Sequence, residues 1–221
     1  IDGSDSPFIF EKIGTQLEHV MIDEFQDTST VQWQNFRVLL SEAMSHAGSQ
    51  NLIVGDVKQS IYRWRSGDWR LLNDIEQQFS PQQIETLPLS TNYRSERNII
   101  KFNNAFFICA AELEYEAQRE LNAAEAEQLR KAYNDVEQKI PEKRPEEGYV
   151  QIELLSADNF QEQTLQRLGE IIQQLTSQGV PQQKIAILVR TNTSIPTIAQ
   201  YFIETMPEIH VVSDEAYRLD A

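Results

Sequence analysis

The hydrophobic pattern changes period several times along this chain. His19 to Ile22 (H-V-M-I) is a short apolar run that stops at Asp23-Glu24, and Asn51 to Val54 (N-L-I-V) is a second that stops at Gly55-Asp56. Between them, Val31 to Ala47 carries apolar side chains at helical spacing, with Trp33, Phe36, Leu39 and Leu40 on one face and Gly48 as the stop. A strand, a helix and a strand joined by short connections predict a βαβ unit, the element of a parallel sheet flanked by helices. A third apolar stretch, Ile84 to Leu89, follows a helix-like segment over Leu71 to Phe79 and runs into Ser90-Thr91-Asn92-Tyr93-Arg94. Ligands of open α/β sheets gather beyond the carboxyl ends of the strands. The pattern therefore predicts Asp23, Glu24, Asp56 and Arg94 along one edge of the sheet.

From Ser95 to about Ile140 the spacing is helical and free of Pro and Gly. Ile99, Phe102 and Phe106 form an apolar stripe, which Leu113, Leu121 and Leu129 extend more thinly. The Glu- and Ala-rich part, Glu112 to Glu147, reads as a solvated helical arm, a spacer by default. Pro141, Pro145 and Gly148 break the chain, and a second α/β unit follows from Tyr149. It comprises a strand over Val150 to Leu155, an amphipathic helix (Leu165, Leu168, Ile171, Ile172, Leu175) closed by Gly179 and Pro181, and a buried strand over Ile185 to Val189. A helix over Ile195 to Glu204 and a strand over His210 to Val212 complete it. The chain thus divides into 1–110, 111–147 and 148–221.

Composition narrows the class. With 221 residues, 40% of them hydrophobic, the chain can bury a core, and its longest apolar run, Ala105 to Ala111, is far too short to span a membrane. Its one cysteine, Cys109, cannot close an intramolecular disulfide, which points to a reducing compartment. His19, His46 and His210 lie too far apart to suggest a metal site. No basic stretch leads into an apolar one at the start, and the first residue is Ile1, so a piece of a longer polypeptide is expected. The net charge of −15, from 34 acidic and 19 basic residues, argues against nucleic-acid binding through general positive charge. One stretch runs against that balance: from Asp56 to Arg70, Lys58, Arg63, Arg65 and Arg70 face only Asp56 and Asp68, interleaved with Tyr62, Trp64 and Trp69.

Three constellations carry chemistry. Asp23-Glu24 at a strand end suits Mg²⁺ work, one carboxylate holding the hydrated cation while the next orients or deprotonates a water; the plainer alternative is a capped helix entry, with Asp27, Thr28 and Ser29 as N-cap residues. In the second, Gln59 lies just beyond a strand end, where a neutral donor and acceptor can sense a terminal phosphate. Tyr62 and Trp64 offer faces for unpaired bases, and Arg63 and Arg65 can meet backbone phosphates; the alternative buries both rings in the core. In the third, Arg94 can act on a transferring phosphoryl group and Tyr93 can cover a base, unless Asn92-Tyr93-Arg94-Ser95 is only a helix entry capped by Ser95.

In this order and at these spacings the three resemble motifs II, III and IV of superfamily 1 DNA helicases of the UvrD/Rep type. V-M-I-D-E-F-Q-D-T-S-T-V-Q-W and V-G-D-V-K-Q-S-I-Y-R-W-R-S-G-D-W are most similar to the RecB/AddA branch, the motor subunits of ATP-dependent exonuclease V-type enzymes. The resemblance covers roughly residues 17–107. A weaker one covers 148–221, where I-A-I-L-V-R-T-N is similar to the opening of the family's second RecA-like domain, and 108–147 matches only as a helical connection. The resemblance implies a RecA-like, P-loop NTPase-class α/β fold and an ATP-dependent DNA helicase of the bacterial cytoplasm, working in double-strand break repair and recombination. Asp23 would coordinate the Mg²⁺ bound to ATP, and Glu24 would be the general base. Gln59 would contact the γ-phosphate, Tyr93 would stack on adenine, and Arg94 would stabilise γ-phosphate charge. Tyr62, Arg63, Trp64 and Arg65 would touch single-stranded DNA. The implied partners are that DNA, the remaining domains of the parent helicase and a nuclease partner subunit, with no membrane.

The sequence also departs from the family's pattern. It contains no G-x-x-x-x-G-K-[ST] phosphate cradle, and no two of its eight glycines lie five positions apart. The family's later motifs are absent as well. With about half of an ATPase site, the chain is expected to be inactive alone. The competing classes are a metal-dependent nuclease using Asp23, Glu24 and Asp27, and a non-catalytic, helicase-derived DNA-binding scaffold.

Overall fold

The computed structural model describes residues 17–213, divided into two compact units between Val150 and Gln151. The described part of the first unit is built around a minimal parallel sheet. Strand β1 (Met21–Ile22) pairs with β2 (Leu52–Ile53) in parallel, with Met21 opposite Leu52 and Ile22 opposite Ile53. Helix α1 (Thr30–Ser45) makes the crossover, as the strand–helix–strand pattern requires. Its entry is a capping box: the Ser29 side chain accepts from the Gln32 N–H, and the Gln32 side chain accepts from the Ser29 N–H. Gly48, at φ +85°, supplies the left-handed turn beyond its end.

Trp33 and Leu40 of α1 are buried with Phe25 and Ile75, against Val20, Ile22, Ile53, Leu72 and Phe79. Trp33 meets Phe25 edge-on at 4.9 Å and Phe79 at 6.3 Å. Phe36, expected on the buried face, is exposed, and Leu39 only half-buried. Periodicity marks the apolar side of a helix but not how much of that side a neighbour covers.

The remaining elements correct several expectations. Leu71 to Phe79 is not one helix but a four-residue helix α2 (Arg70–Asn73) followed by a 3₁₀ turn (Ile75–Gln78). Ile84 to Leu89 joins no ladder: Ile84 packs on the core, yet Leu87 and Leu89 are exposed. Arg94 consequently does not stand at the end of a strand of this sheet. The long helical stretch is two helices, α3 (Arg97–Leu121) and α4 (Ala123–Ala132), separated by Asn122, whose side chain accepts from the Ala124 and Glu125 N–H groups and caps α4. Along α3 the buried residues are Ile100 and Tyr115, whereas Phe106, Leu113 and Leu121 of the expected stripe are exposed.

The acidic arm is not a free spacer. Helix α4 folds back along α3, burying Ala126, Ala132 and Tyr115, and docks on α2 through Arg70–Glu125 (2.8 Å) and Lys131–Asp74 (2.7 Å) ion pairs and an Asn73–Gln128 hydrogen bond (2.6 Å). Small alanines allow that close approach, which a search for large apolar residues does not register.

In the second unit, helices α5 (Phe160–Ser177) and α6 (Ser194–Thr205) bury Ile172 and Phe202 with Ile209. The absence of a Cβ at Gly169 lets Met206 approach: a Cβ there would lie 2.6 Å from its sulfur. The expected strands at Val150 to Leu155, Ile185 to Val189 and His210 to Val212 form no ladder among the described residues. Alternation holds in the last two, since Ile185, Ile187 and Val211 pack on the core while Leu188 and Val212 are exposed, but not in the first, where Ile152 and Leu154 are both exposed. Period-two patterning specifies an extended segment with one covered face; a strand also needs a neighbour for its N–H and C=O groups. Among the described residues no helix is long and apolar enough to cross a membrane.

Candidate functional site

Parallel pairing of β1 and β2 brings Asp23-Glu24 and Gly55-Asp56 out at the same sheet edge. The chain leaving β1 turns sharply. Glu24 adopts φ 51°, ψ 40°, a left-handed conformation uncommon for a residue with a Cβ, and its N–H is held by Asp23 Oδ1 at 2.9 Å. A 3₁₀ turn (Phe25–Asp27) intervenes before the helix, so neither carboxylate serves as its cap. Both are exposed.

Beneath them lies Gln26, 1% exposed. Its Nε2 donates to Glu24 Oε2 (2.7 Å), and its Oε1 accepts from the Asp56 N–H (3.1 Å). One amide thus joins the two strand ends. Gly55 allows this closeness, because a Cβ there would lie 2.7 Å from Gln26 Oε1 and 2.8 Å from Leu72 Cδ2. Gln26→Ala is expected to destabilise the chain by about 1–3 kcal/mol, since the Asp56 N–H loses its buried acceptor. Denaturant unfolding checks this, and an unchanged midpoint would show that Gln26 joins nothing of consequence.

The second turn is equally bonded. Gln59 Nε2 donates to Asp56 Oδ2 (3.0 Å), and Lys58 Nζ lies 2.9 Å from both Asp56 Oδ1 and Asp135 Oδ1. Burial opposes the charged form of Asp56, but hydrogen bonds from Lys58 and Gln59 outweigh it and hold the carboxyl below its usual range. Burial likewise disfavours charged Lys58, and its bonds to Asp135 and Asp56 prevail, raising it above an ordinary lysine.

The loop that follows folds back onto the first turn. Ser60 Oγ donates to the Gln26 carbonyl (3.3 Å), Ile61 N–H to Asp27 Oδ1 (3.3 Å) and Asp68 N–H to the Thr28 carbonyl (3.1 Å), and Ser29 forms an antiparallel bridge with Gly67. Tyr62, Arg63, Trp64 and Arg65 project outward. Trp64 is 71% exposed and Tyr62 37%, so neither is a core ring. Their centroids are 6.1 Å apart, and the Arg65 guanidinium lies over both, at 4.3 Å from Trp64 and 5.3 Å from Tyr62.

The third turn is built by Asn92, whose Oδ1 accepts from the Arg94 and Ser95 N–H groups. Glu96, not Ser95, occupies the N-cap position of α3. Tyr93 is 73% exposed, and the Arg94 side chain is exposed as well. This turn is anchored on the segment after α4: Asn92 N–H donates to the Lys139 carbonyl (3.0 Å), Lys139 N–H to the Ser90 carbonyl (2.8 Å), and Arg144 to the Tyr93 carbonyl.

The donor set at Asp23 and Glu24 fits a cation carried in with a nucleotide. Mg²⁺ keeps several waters and takes one or two carboxylates plus phosphate oxygens. A protein-caged ion needs more ligands, and among the described residues no three His, Cys, Asp or Glu side chains gather. Asp27, the third carboxylate of the nuclease alternative, accepts the Ile61 N–H. Gln26, Lys58 and Asp135 had no assigned role in the linear reading. Lys58 and Asp135 are 77 residues apart, and no local pattern signals such a pair.

The turn that carries the strand-end carboxylates and the loop that exposes Tyr62, Trp64 and Arg65 thus share one hydrogen-bonded frame. The chain belongs to the UvrD-like helicase family: the UvrD/REP helicase N-terminal domain matches residues 4–80 and the UvrD-like helicase C-terminal domain residues 87–217. That family places it in the P-loop NTPase-type α/β class. Similar proteins include an ATP-dependent helicase/nuclease subunit (AddA) of Limosilactobacillus fermentum, 41% identical over 92 residues, covering 41% of this chain and 7% of that protein. DNA helicase II of Haemophilus influenzae is 34% identical over 98 residues, 44% of this chain and 12% of that protein. The AddA protein of Streptococcus equi subsp. zooepidemicus is 29% identical over 213 residues, 89% of this chain and 16% of that protein. The chain therefore spans only 7% to 16% of the length of these relatives.

Proposed function

We propose that this chain is the part of an ATP-dependent DNA helicase in which nucleotide state is passed to single-stranded DNA, in an AddA-like enzyme of double-strand break repair acting with a nuclease partner subunit. The observation that carries the reading is the bonded frame between two chemistries. The Asp23-Glu24 turn and the Tyr62-Trp64-Arg65 loop share Gln26, Asp27, Thr28 and Ser29 as hydrogen-bonding residues, so displacement of one is felt by the other. A motor needs this, because hydrolysis moves a strand only if nucleotide state alters strand affinity.

Asp23 would hold the nucleotide's Mg²⁺, which would neutralise charge on the phosphate oxygens. Glu24 accepts the proton of the attacking water. Gln59 contacts the γ-phosphate from a position set by Asp56, and Arg94 balances the charge that develops on the transferring group. Tyr93 stacks on the adenine. Tyr62 and Trp64 stack on bases while Arg63 and Arg65 meet the strand's phosphates. Residues 148–221 belong to the second RecA-like domain, and residues 111–147 connect it to the first.

The purified 221-residue chain is expected to show no DNA-stimulated ATP turnover, because it contains no phosphate-cradling glycine loop. A longer protein that contains the chain together with such a loop is expected to hydrolyse ATP and to be accelerated by single-stranded DNA. Turnover by the chain itself would overturn the first expectation, and a longer protein indifferent to DNA would overturn the motor reading.

A further inference from the structure

The segment that returns from α4 touches both turns assigned to the nucleotide. At its start, Asp135 Oδ1 takes Lys58 Nζ at 2.9 Å, and the same ammonium holds Asp56 at 2.9 Å, whose other oxygen positions Gln59. A few residues on, Gln138 Oε1 accepts from Asn92 Nδ2 (2.8 Å), and Lys139 exchanges two backbone hydrogen bonds with Ser90 and Asn92. Asn92 in turn shapes the backbone of Arg94. The segment is itself tied down: Asn104 on α3 bonds both the N–H and the carbonyl of Gln138.

We infer that Asp135–Lys139 is a coupling bar between the Gln59 turn and the Tyr93-Arg94 turn, with Lys58 and Asp135 as its positioning residues. The sensor side and the arginine side lie on loops with no common ladder, so agreement between them has to come from a third element. This bar is bonded to each. When the Lys58 turn shifts, Asp135 shifts with it, and the strand-like bridge at Lys139 carries the displacement to Asn92. The inference rests on the motor reading only for what the two turns hold; the mechanical link is a property of the chain itself.

Hydrogen–deuterium exchange on the nucleotide-free 221-residue chain tests it. The Asp135 side chain is 59% exposed, so Asp135→Ala removes both the ion pair and the hydrogen bond to Lys58 at little cost to the core. Amides of residues 89–95 and 136–140 are expected to exchange about three- to fivefold faster, with those of α1 unchanged. Lys58→Met is expected to give the same local pattern, and Lys58→Arg, which can still reach both carboxylates, to retain protection. Unchanged exchange at 89–95 in Asp135→Ala, or acceleration spread evenly through the first unit, would overturn the bar. Because no nucleotide is present, failure of the ATPase expectations would leave this result standing, and the converse also holds.

Discussion

Glu24→Gln, made in an ATPase-competent protein containing this chain, is expected to lower turnover by about 10²- to 10⁴-fold while nucleotide affinity stays near that of the parent. The conformation of the turn explains why the two quantities separate. Glu24 sits in a left-handed backbone position fixed by Asp23 Oδ1 and the buried Gln26 amide. A glutamine keeps the shape and an oxygen for Gln26 Nε2 to donate to, so the turn persists. It loses the negative charge, and with it any capacity to take a proton from water. Single-turnover hydrolysis and equilibrium binding of a nucleotide measure the two effects separately. Normal hydrolysis in this variant would remove Glu24 from the base role, and parallel loss of binding would show that its charge serves the nucleotide, not the water.

Trp64→Ala is expected to weaken single-stranded DNA binding by about 5- to 150-fold, the equivalent of roughly 1–3 kcal/mol of lost stacking. The ring is mostly solvent-exposed, so its removal opens no cavity and the unfolding midpoint should hold. Arg65 loses its closest ring and retains Tyr62 at 5.3 Å. Titration of a labelled oligonucleotide, alongside nucleotide binding without DNA, provides the check. Equal loss of both affinities would place Trp64 in the packing of the loop instead of against a strand.

Local signals place several residues of the candidate site. Two apolar runs ending in acids, with one amphipathic helix between them, were enough to place Asp23, Glu24 and Asp56 on a common edge, because a short βαβ connection leaves little topological freedom. Of the three candidate helix caps, Asp27, Thr28 and Ser29, the structure selects Ser29 through its bond from the Gln32 N–H. For Tyr62 and Trp64 the linear reading left two outcomes open. An aromatic residue beside arginines suits a core or a platform equally well, and only their exposure separates the two. The apolar pattern places Arg94 beyond a third strand, yet its turn is set by Asn92 and by a segment that reads as spacer.

What these residues determined unaided is what depends on neighbours a few positions away: the two strands that pair, the helix between them and the polar turn that opens it. Tertiary structure alone decided which extended segments find a ladder, how the Ala-rich helix docks, and how Gln26, Lys58 and Asp135 join turns far apart in the chain. The physical reason is that helical and extended periodicities arise from local backbone geometry, whereas a hydrogen bond or ion pair between distant residues depends on loop closure and on shape, and neither leaves a repeat in the sequence.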